Sequence, residues 1–278
     1  MMEKPPLVSV IVPTYNRPAM LQEALQSVLN QTYKNIEVLV VNDGGRDVEK
    51  DIASLGFKER LIYIRHPEHK ERSRARNTAI KASQGKYIAY LDDDDIYYPD
   101  HLETLVNFLE THPYAIAYTD AYHAFQKKKN EQYVTVSKKI LFSYDFNRDE
   151  LMIKNLIPIL CLMHQKECLE KAGGFDETLT THEDWDLWIR LSRHFDFAHI
   201  KEFTCEVRCH DGTTTAQQKA DFLRTKMLIY EKYKKYVEGK PGILKRQSED
   251  LKQYGSFCEA FEAAVKKLGR LFHDHPRN

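Results

Sequence analysis

Four consecutive aspartates, Asp92 to Asp95, directly follow the apolar run Tyr87–Leu91. A short run of bulky apolar residues is typical of a buried strand, so the carboxylates should lie together at its end. Carboxylates this close repel one another, and burying them unpaired costs free energy. A divalent cation such as Mn2+ or Mg2+ would neutralise them, and such ions commonly bridge carboxylates to substrate phosphates. The alternative is a solvated turn in which one aspartate caps a helix that begins near Pro99.

The first part of the chain alternates predicted strands and helices. The apolar runs predict strands at 7–12, 36–41, 61–64, 87–91 and 115–118, and helices at 18–29, 48–55, 74–83 and 99–110. This alternation predicts an α/β fold with a mostly parallel central sheet and right-handed crossover connections. Further along, the patterns predict an exposed hairpin tip or loop at 127–130, strands at 156–163 and around 205–209, and helices at 185–195, 216–236 and 244–272.

Polar residues follow three of the predicted strands. Thr14, Tyr15 and Asn16 follow the first strand, Asp43 follows the second, and the aspartate run follows the fourth. The carboxyl ends of parallel strands meet at one edge of a sheet, and ligands bind at that edge in open α/β sheets. The sequence therefore predicts a ligand site there.

The chain lacks the glycine-rich loops that hold phosphates. Neither G-x-G-x-x-G after the first strand nor G-x-x-x-x-G-K-[ST] occurs in the sequence. Acidic residues without a glycine loop favour a site in which a metal ion, rather than backbone amides, stabilises a diphosphate leaving group.

Composition excludes several classes of function. The 278 residues carry 41 Lys plus Arg and 41 Asp plus Glu, so no net charge attracts nucleic acid or an anionic membrane. We find no apolar run long enough to span a bilayer and no apolar core of a signal peptide, so we expect a soluble cytoplasmic protein, with peripheral contact at the inner face of the membrane as an open alternative. The 5 cysteines are scattered and read as reduced core thiols rather than a zinc site.

Several segments, in order, resemble family 2 glycosyltransferases. They are Pro13–Asn16, Val41–Gly44, Ala75–Asn77, Tyr90–Asp95 and Thr181–Trp188, and Ile96–Leu102 is similar to the bacterial spore-coat member of the family. The resemblance covers about Val8 to His210 and implies the GT-A fold, a Rossmann-like sheet with helices on both faces. It also implies an inverting transfer from a nucleotide-diphosphate sugar. The sequence departs from the family at the acidic motif, often D-x-D-D, because Asp93 occupies the variable position.

The resemblance implies roles on the donor side. Thr14 and Tyr15 match residues that hold the nucleobase, Tyr15 by stacking, and Asp43 matches the acceptor of the base's ring N–H, which favours uracil or thymine. Arg76 matches a donor-site arginine, Asp92 the ribose-facing residue and Asp94 the metal ligand, with Asp93 or Asp95 as substitutes; Asp93 is also expected on the donor side. Each has a plainer interpretation as a turn residue, a loop aromatic or a solvated charge.

The resemblance also implies roles on the acceptor side. Asp184 matches the general base, which must take a proton as a sugar hydroxyl attacks the anomeric carbon. Glu183 is its neighbour and alternative, and Trp185 could offer an apolar surface to the acceptor, whereas Trp188 is expected in the core. His210 matches a histidine that in some members reaches the metal or diphosphate, with a structural histidine as an equal alternative.

The predicted function is therefore a metal-dependent, inverting glycosyltransferase that uses a nucleotide sugar, in particular a UDP-sugar, and a glycan, lipid-linked or other hydroxyl acceptor. One alternative is a metal-dependent phosphohydrolase or nucleotidyltransferase. Another is a non-catalytic nucleotide- or glycan-binding module on the same fold.

We expect the catalytic domain to cover 1–215, with a nucleotide-sugar half at 1–121 and an acceptor half at 122–215. A helical extension would follow at 216–278. Its apolar positions are Leu223, Met227, Ile229 and Tyr230, then Phe257, Phe261, Val265 and Leu268 beside Lys266, Lys267 and Arg270. They would pack within the chain, pair two subunits or lie on a membrane.

Overall fold

The computed structural model describes residues 4–57, 60–130, 132–210 and 216–253. Within these ranges, strands of one sheet run through the molecule: β1 (Val8–Thr14), β2 (Ile36–Asn42), β3 (Leu61–Arg65), β4 (Tyr87–Tyr90), β5 (Ile96–Tyr97), β6 (Ile116–Lys129), β7 (Gln132–Phe142), β8 (Leu162–Gln165) and β9 (Phe197–His210). Their order is β3-β2-β1-β4-β8-β6-β9-β5, and β7 pairs with β6 outside this path.

The first half of the sheet is parallel, as predicted. β1 pairs in parallel with β2 on one side and with β4 on the other, and β2 pairs with β3. All residues of β1, β2 and β4 are buried, which explains why these strands are continuous apolar runs rather than alternating patterns. The strand order reverses between β1 and β4, so the predicted ligand edge lies at the carboxyl ends of these strands.

The first strand extends through Pro13 to Thr14, beyond the predicted end at residue 12. The pairing of β1 with β2 continues through Pro13 to Thr14, whereas its pairing with β4 ends at Ile11. Proline has no N–H to donate, but β1 no longer pairs with β4 at this position, so no hydrogen bond of the sheet is lost.

The second half of the sheet is mixed. β8 is antiparallel to both β4 and β6, and β6 and β9 are parallel over a long pairing. β6 is much longer than the predicted 115–118 and forms a hairpin with β7, whose turn contains Asn130 at φ 48°, as expected for an exposed tip. The strand predicted at 156–163 is wrong in its first part, because Ile159–Cys161 form a 3-10 turn before β8.

Helices cover the sheet. They are α1 (Pro18–Leu29), α2 (Glu49–Ala53), α3 (Glu71–Ala82), α4 (His101–Thr111), α5 (Arg148–Leu151), α6 (Cys168–Ala172), α7 (Glu183–Ser192) and α8 (Ala216–Tyr233), followed by a 3-10 turn at Lys234–Tyr236 and a helix over 241–253. α1 has the predicted bounds and begins with a proline, whose missing N–H costs nothing in a first turn. Cys161, Cys168 and Cys205 are buried free thiols, and Cys209 is partly exposed.

Helix α8 packs on the main core. Ile229, Tyr230 and Tyr233 are buried in the same apolar cluster as the sheet, whereas Met227 is 54% exposed and does not belong to the buried stripe. The predicted apolar positions from Phe257 to Leu268, with their neighbouring basic residues, lie outside the described residues. No helix within the described ranges combines the length and the apolar composition needed to cross a bilayer.

Candidate functional site

The aspartate run forms a compact group of carboxylates between β4 and β5. Ligand atoms of Asp92, Asp94 and Asp95 all lie within 4.8 Å of one another. The expected ligand Asp94 therefore belongs to the group, together with Asp95, which had been a substitute, and Asp92, which had been expected to face the ribose.

Electrostatics make this group a fitting site for a cation. Burial raises the pKa of Asp94, and the charge of Asp92 raises it further. Burial, with the charges of Asp94 and Asp92, also holds the pKa of Asp95 well above its usual range. Burial acts the same way on Asp92, but Arg76 and Arg72 outweigh it and lower the pKa of that carboxyl. Two carboxylates in the group thus resist ionisation, and oxygen ligands in such a cluster suit Mn2+ or Mg2+.

Asp93 lies outside the carboxylate group. Its side chain is buried, accepts a hydrogen bond from Thr14 Oγ1 at 2.7 Å, and accepts another from Arg17 Nη1 at 3.1 Å. Burial, followed by the charge of Asp94, raises the pKa of Asp93 to about 6. The hydrogen bond between Thr14 and Asp93, both expected on the donor side, fixes the end of β1 to the loop that follows β4.

Arg17 is a site residue that the sequence reasoning missed. Its Nη1 donates to Asp94 Oδ2 at 2.7 Å as well as to Asp93, and its side chain is 48% exposed. In the sequence, only its position could have indicated a role in the site, since Arg17 directly follows the polar residues Thr14, Tyr15 and Asn16.

Arg76 links the carboxylate group to the start of α7. Its Nη2 donates to Asp92 Oδ1 at 2.5 Å, and its Nη1 donates to Glu183 Oε1 at 2.6 Å. Arg76 is 1% exposed and Glu183 is 3% exposed. Glu183 was expected to face the acceptor as an alternative base. That expectation is wrong, because a buried carboxylate bound to a guanidinium serves as a structural ion pair.

Asp184 has the environment of a group that can exchange a proton. Its Oδ2 accepts a hydrogen bond from Asn155 Nδ2 at 2.8 Å, and its Oδ1 accepts one from the backbone N–H of Trp185 at 2.8 Å. Burial, followed by the charge of Glu183, raises the pKa of Asp184 to about 7. Asn155 is a second site residue that the sequence did not reveal, because it lies 29 positions away.

The backbone before α7 sets the direction of this helix. His182 caps α7 in the left-handed conformation, with φ 60°, which is uncommon for a residue other than glycine. The His182 ring lies 2.8 Å from Thr225 Oγ1, so α8 braces this point from outside the catalytic core. Strained backbone of this kind is commonly found beside active sites.

Trp185 does not offer a surface to an acceptor, contrary to expectation. Its side chain is 0% exposed, and its Nε1 donates to the carbonyl of Leu151 at 2.6 Å. Trp188 is buried as predicted and donates to the carbonyl of Ile157. Both tryptophans hold α7 against the core, which fixes the position of Asp184 at its start.

His210, expected as a metal ligand, is the last residue of β9 and does not belong to the carboxylate group of Asp92, Asp94 and Asp95. The ring is 6% exposed and packs on Tyr133 with a centroid distance of 4.4 Å. Burial lowers the pKa of His210, while the charge of Asp94 acts in the opposite direction, so the two side chains are electrostatically coupled. In the same strand, the backbone N–H of Arg208 donates to Asp95 Oδ1 at 2.7 Å.

Asp43 and Tyr15 form the remaining part of the site. Asp43 is 3% exposed and accepts hydrogen bonds from His66 Nδ1 at 2.8 Å and from the backbone N–H of Lys70 at 3.0 and 3.1 Å. Tyr15 is 43% exposed and stacks on His69. The two histidines and the backbone of Lys70 were not anticipated from the sequence, since they belong to the loop before α3.

Two comparisons of sequence identify relatives of the chain. Residues 9–168 match the model of glycosyl transferase family 2. An uncharacterized glycosyltransferase of Rickettsia prowazekii is 34% identical over 219 residues, which is 76% of this chain and 66% of the relative. One of Bacillus subtilis is 27% identical over 198 residues, 71% of each chain. The chain thus spans slightly less than two thirds of the Rickettsia relative.

Solved structures show the same fold. Staphylococcus aureus TarS, in a fragment solved with UDP, aligns over 80% of this chain and 64% of its own, with a TM-score of 0.59 and 19% identity. A mannosyltransferase of Pyrobaculum calidifontis, solved with GDP-mannose and Mn2+, aligns over 96% of this chain and 81% of its own, with a TM-score of 0.60 and 17% identity. The chain has the GT-A fold and belongs to glycosyl transferase family 2.

Proposed function

We propose that this enzyme transfers a sugar from a nucleoside-diphosphate sugar, in particular a UDP-sugar, to a hydroxyl acceptor in one metal-dependent displacement that inverts the anomeric centre. One observation carries the proposal. Arg76 joins the carboxylate group that fits a divalent cation to the helix whose second residue, Asp184, has a pKa of about 7. A cation site for a diphosphate and a carboxylate near neutral pKa are the two parts that such a displacement needs.

The donor side is supported by the carboxylate group and by Asp43. Asp92, Asp94 and Asp95 would hold the divalent cation, which when bound supplies positive charge against the leaving diphosphate. Asp43 and the exposed ring of Tyr15 both contact His69, so the two side chains lie close together, an arrangement that suits a base with a ring N–H. Uracil and guanine both have that N–H, and the solved structures of this fold hold UDP in one case and GDP-mannose in another.

Asp184 performs the proton transfer in the proposed reaction. A bond forms between the acceptor oxygen and the anomeric carbon while the bond from that carbon to the diphosphate breaks. The hydroxyl proton passes to Asp184, which Asn155 and the amide of Trp185 hold in one orientation. No covalent intermediate is required, and Glu183 stays bound to Arg76 throughout.

The acceptor would be a hydroxyl of a glycan or of a lipid-linked sugar, as expected for polysaccharide or cell-envelope synthesis. We propose the cytoplasm, or the inner face of the membrane, as the place of reaction. The acceptor is inferred from the resemblance to the family, and the location from the sequence, rather than from contacts within the site.

Calorimetry with UDP, GDP and CDP, each with and without Mn2+, tests the donor side. UDP should bind in the presence of Mn2+ and more tightly than CDP, because CDP lacks the ring N–H and leaves an acceptor unpaired, at a cost of about 1–3 kcal/mol. Equal affinities for all three would mean that Asp43 does not read the base.

Product analysis with a panel of nucleotide sugars separates the alternatives. Release of UDP together with a glycosylated acceptor supports the proposal. Release of phosphate or UMP would instead indicate a phosphohydrolase or nucleotidyltransferase, and nucleotide binding without turnover for any acceptor would indicate a binding module.

A further inference from the structure

The loop between β3 and α3 brings a second ring onto Tyr15. The His69 imidazole stacks on the Tyr15 ring with a centroid distance of 4.2 Å and an angle of 28° between the planes. Tyr15 is the exposed aromatic that the proposed function assigns to stacking on the nucleobase. One face of the Tyr15 ring is therefore already covered by a flat nitrogen heterocycle from the chain itself.

The same imidazole also contacts Asp43. His69 Nδ1 lies 2.7 Å from Asp43 Oδ2 and 3.3 Å from the backbone carbonyl of Asp43. Because a carbonyl oxygen only accepts, Nδ1 carries the proton and is a ring N–H donor. His69 thus stacks on Tyr15 while it presents a ring N–H to Asp43, which are the two interactions that a uracil ring would make there.

The two histidines at Asp43 differ in how firmly they are held. His66 is 11% exposed and is fixed from both ends, by Asp43 at Nδ1 and by Thr78 Oγ1 at Nε2, 3.0 Å away. His69 is 41% exposed, and its Nε2 lies 3.4 Å from the exposed carboxylate of Glu71. Rotation of His69 away from Asp43 would leave His66 and the Lys70 amide in place, so Asp43 Oδ2, which the Lys70 amide also contacts at 3.0 Å, would lose one of its two donors.

The backbone explains why His69 reaches this position. A Cβ on Gly44 would lie 2.3 Å from the carbonyl carbon of Glu68 and 2.5 Å from the nitrogen of His69, so only glycine lets the loop approach so closely. Glu71 has φ 69°, a left-handed conformation that is costly for this residue type. The loop is thus held over Asp43 by its close contact with Gly44, with backbone strain at Glu71.

We infer that His69 occupies the nucleobase position as an internal substitute, and that a nucleoside diphosphate whose base carries a ring N–H must displace it to bind. This inference rests on the proposed function, because it takes Tyr15 and Asp43 as the base site. His69 then lowers affinity for every nucleotide by the fraction of time it covers the site. This penalty is the same for every base, and bases without a ring N–H bind more weakly still, since they cannot replace the contact with Asp43.

Calorimetry of UDP binding with Mn2+ to His69→Ala and to the unaltered protein tests the inference. We expect UDP to bind about tenfold more tightly to His69→Ala, because one hydrogen bond and one ring stack no longer compete. His69→Phe keeps a ring for Tyr15 but has no donor for Asp43, so its gain should be smaller. His112→Ala is the matched control, since His112 is also an exposed histidine stacked on an aromatic ring, Phe108, and its affinity for UDP should not change.

A second measurement follows the imidazole itself. Modification of each histidine by diethyl pyrocarbonate, measured by mass spectrometry, should increase at His69 when UDP is added and stay constant at His112. Equal UDP affinity of His69→Ala and the unaltered protein, or weaker binding by the variant together with protection of His69 by UDP, would overturn the inference while the proposed function stands. If neither protein binds any nucleoside diphosphate, the proposed function fails and the inference with it.

Discussion

Arg76 Nη1 donates to Glu183 Oε1 at 2.6 Å, across 107 positions of sequence. This bond ties the parallel half of the sheet, through α3, to the start of α7. Because Arg76 also binds Asp92, one guanidinium orders both the expected donor side and the residue next to the proposed base. The position of the start of α7 relative to the expected nucleotide-sugar side therefore depends on a buried ion pair.

Replacement of Arg76 should strongly destabilise the fold. Arg76→Met would leave the buried carboxylate of Glu183 without its main partner, and we expect the free energy of unfolding to fall by about 3–5 kcal/mol. Arg72→Met is the control, since Arg72 is 52% exposed and its Nε lies 3.8 Å from Glu183, and it should cost at most about 1 kcal/mol. Urea unfolding measures both, and equal losses would contradict the role of the buried pair.

The carboxylate group should control binding of the metal. Asp94→Asn removes one charge from the group at nearly constant size, so the protein should fold while Mn2+-dependent binding of UDP is lost. Calorimetry with both ligands measures this. Asp100→Asn, an exposed aspartate shortly after the group, should behave like the unaltered protein. Unchanged turnover and unchanged Mn2+ dependence in Asp94→Asn would exclude Asp94 as a ligand.

Asp184 should set the rate of transfer and its dependence on pH. A base acts in its deprotonated form, so the rate should rise with pH through about 7, the pKa of Asp184, and level off above it. Asp184→Asn cannot accept the proton and should lower the rate by about 10²–10⁴ with UDP affinity retained. Loss of both UDP binding and transfer would instead mark Asp184 as a structural residue.

Asn155 should tune the same proton transfer without taking part in it. Its hydrogen bond to Asp184 favours the charged carboxylate and lowers its pKa, so Asn155→Ala should raise that pKa. The rising part of the pH–rate profile would then move to higher pH, and the rate well above the pKa would change less. Asn107→Ala, at an exposed position of α4, is the control. An unshifted profile in Asn155→Ala would mean that this bond does not affect the base.

The C-terminal helix α8 should stabilise the catalytic core. Tyr233 donates its hydroxyl to Asp186 Oδ1 at 2.6 Å, and Asp186, which is 0% exposed, also binds Lys232 and Arg190. Tyr233→Phe should therefore lower the free energy of unfolding by about 0.5–1.5 kcal/mol. Tyr114→Phe, on a partly exposed ring, should change it by less than about 0.5 kcal/mol. Equal urea midpoints for the two variants would argue that α8 does not add stability through this contact.

The sequence by itself determined the parallel half of the fold and the location of the site. β1, β2 and β4 are apolar runs because both faces of each strand are buried, and α1 has a proline start and an apolar stripe, so their patterns are local and readable. The polar residues that follow these strands had to meet at one edge. Asp94 and Asp43 were identified for that reason and through the resemblance to the family, and Asp184 through the resemblance.

Only the tertiary structure decided which polar groups bind one another. Arg17, His69 and Asn155 act through partners that are distant in sequence, and nothing in their local pattern reports those partners. Glu183 and Trp185 stand on either side of Asp184, yet both turn inward, because one turn of helix points neighbouring side chains in different directions and only the packed core determines which direction is buried. Local sequence patterns specify strands and helices, whereas the charge, burial and pKa of each side chain depend on neighbours that folding brings together.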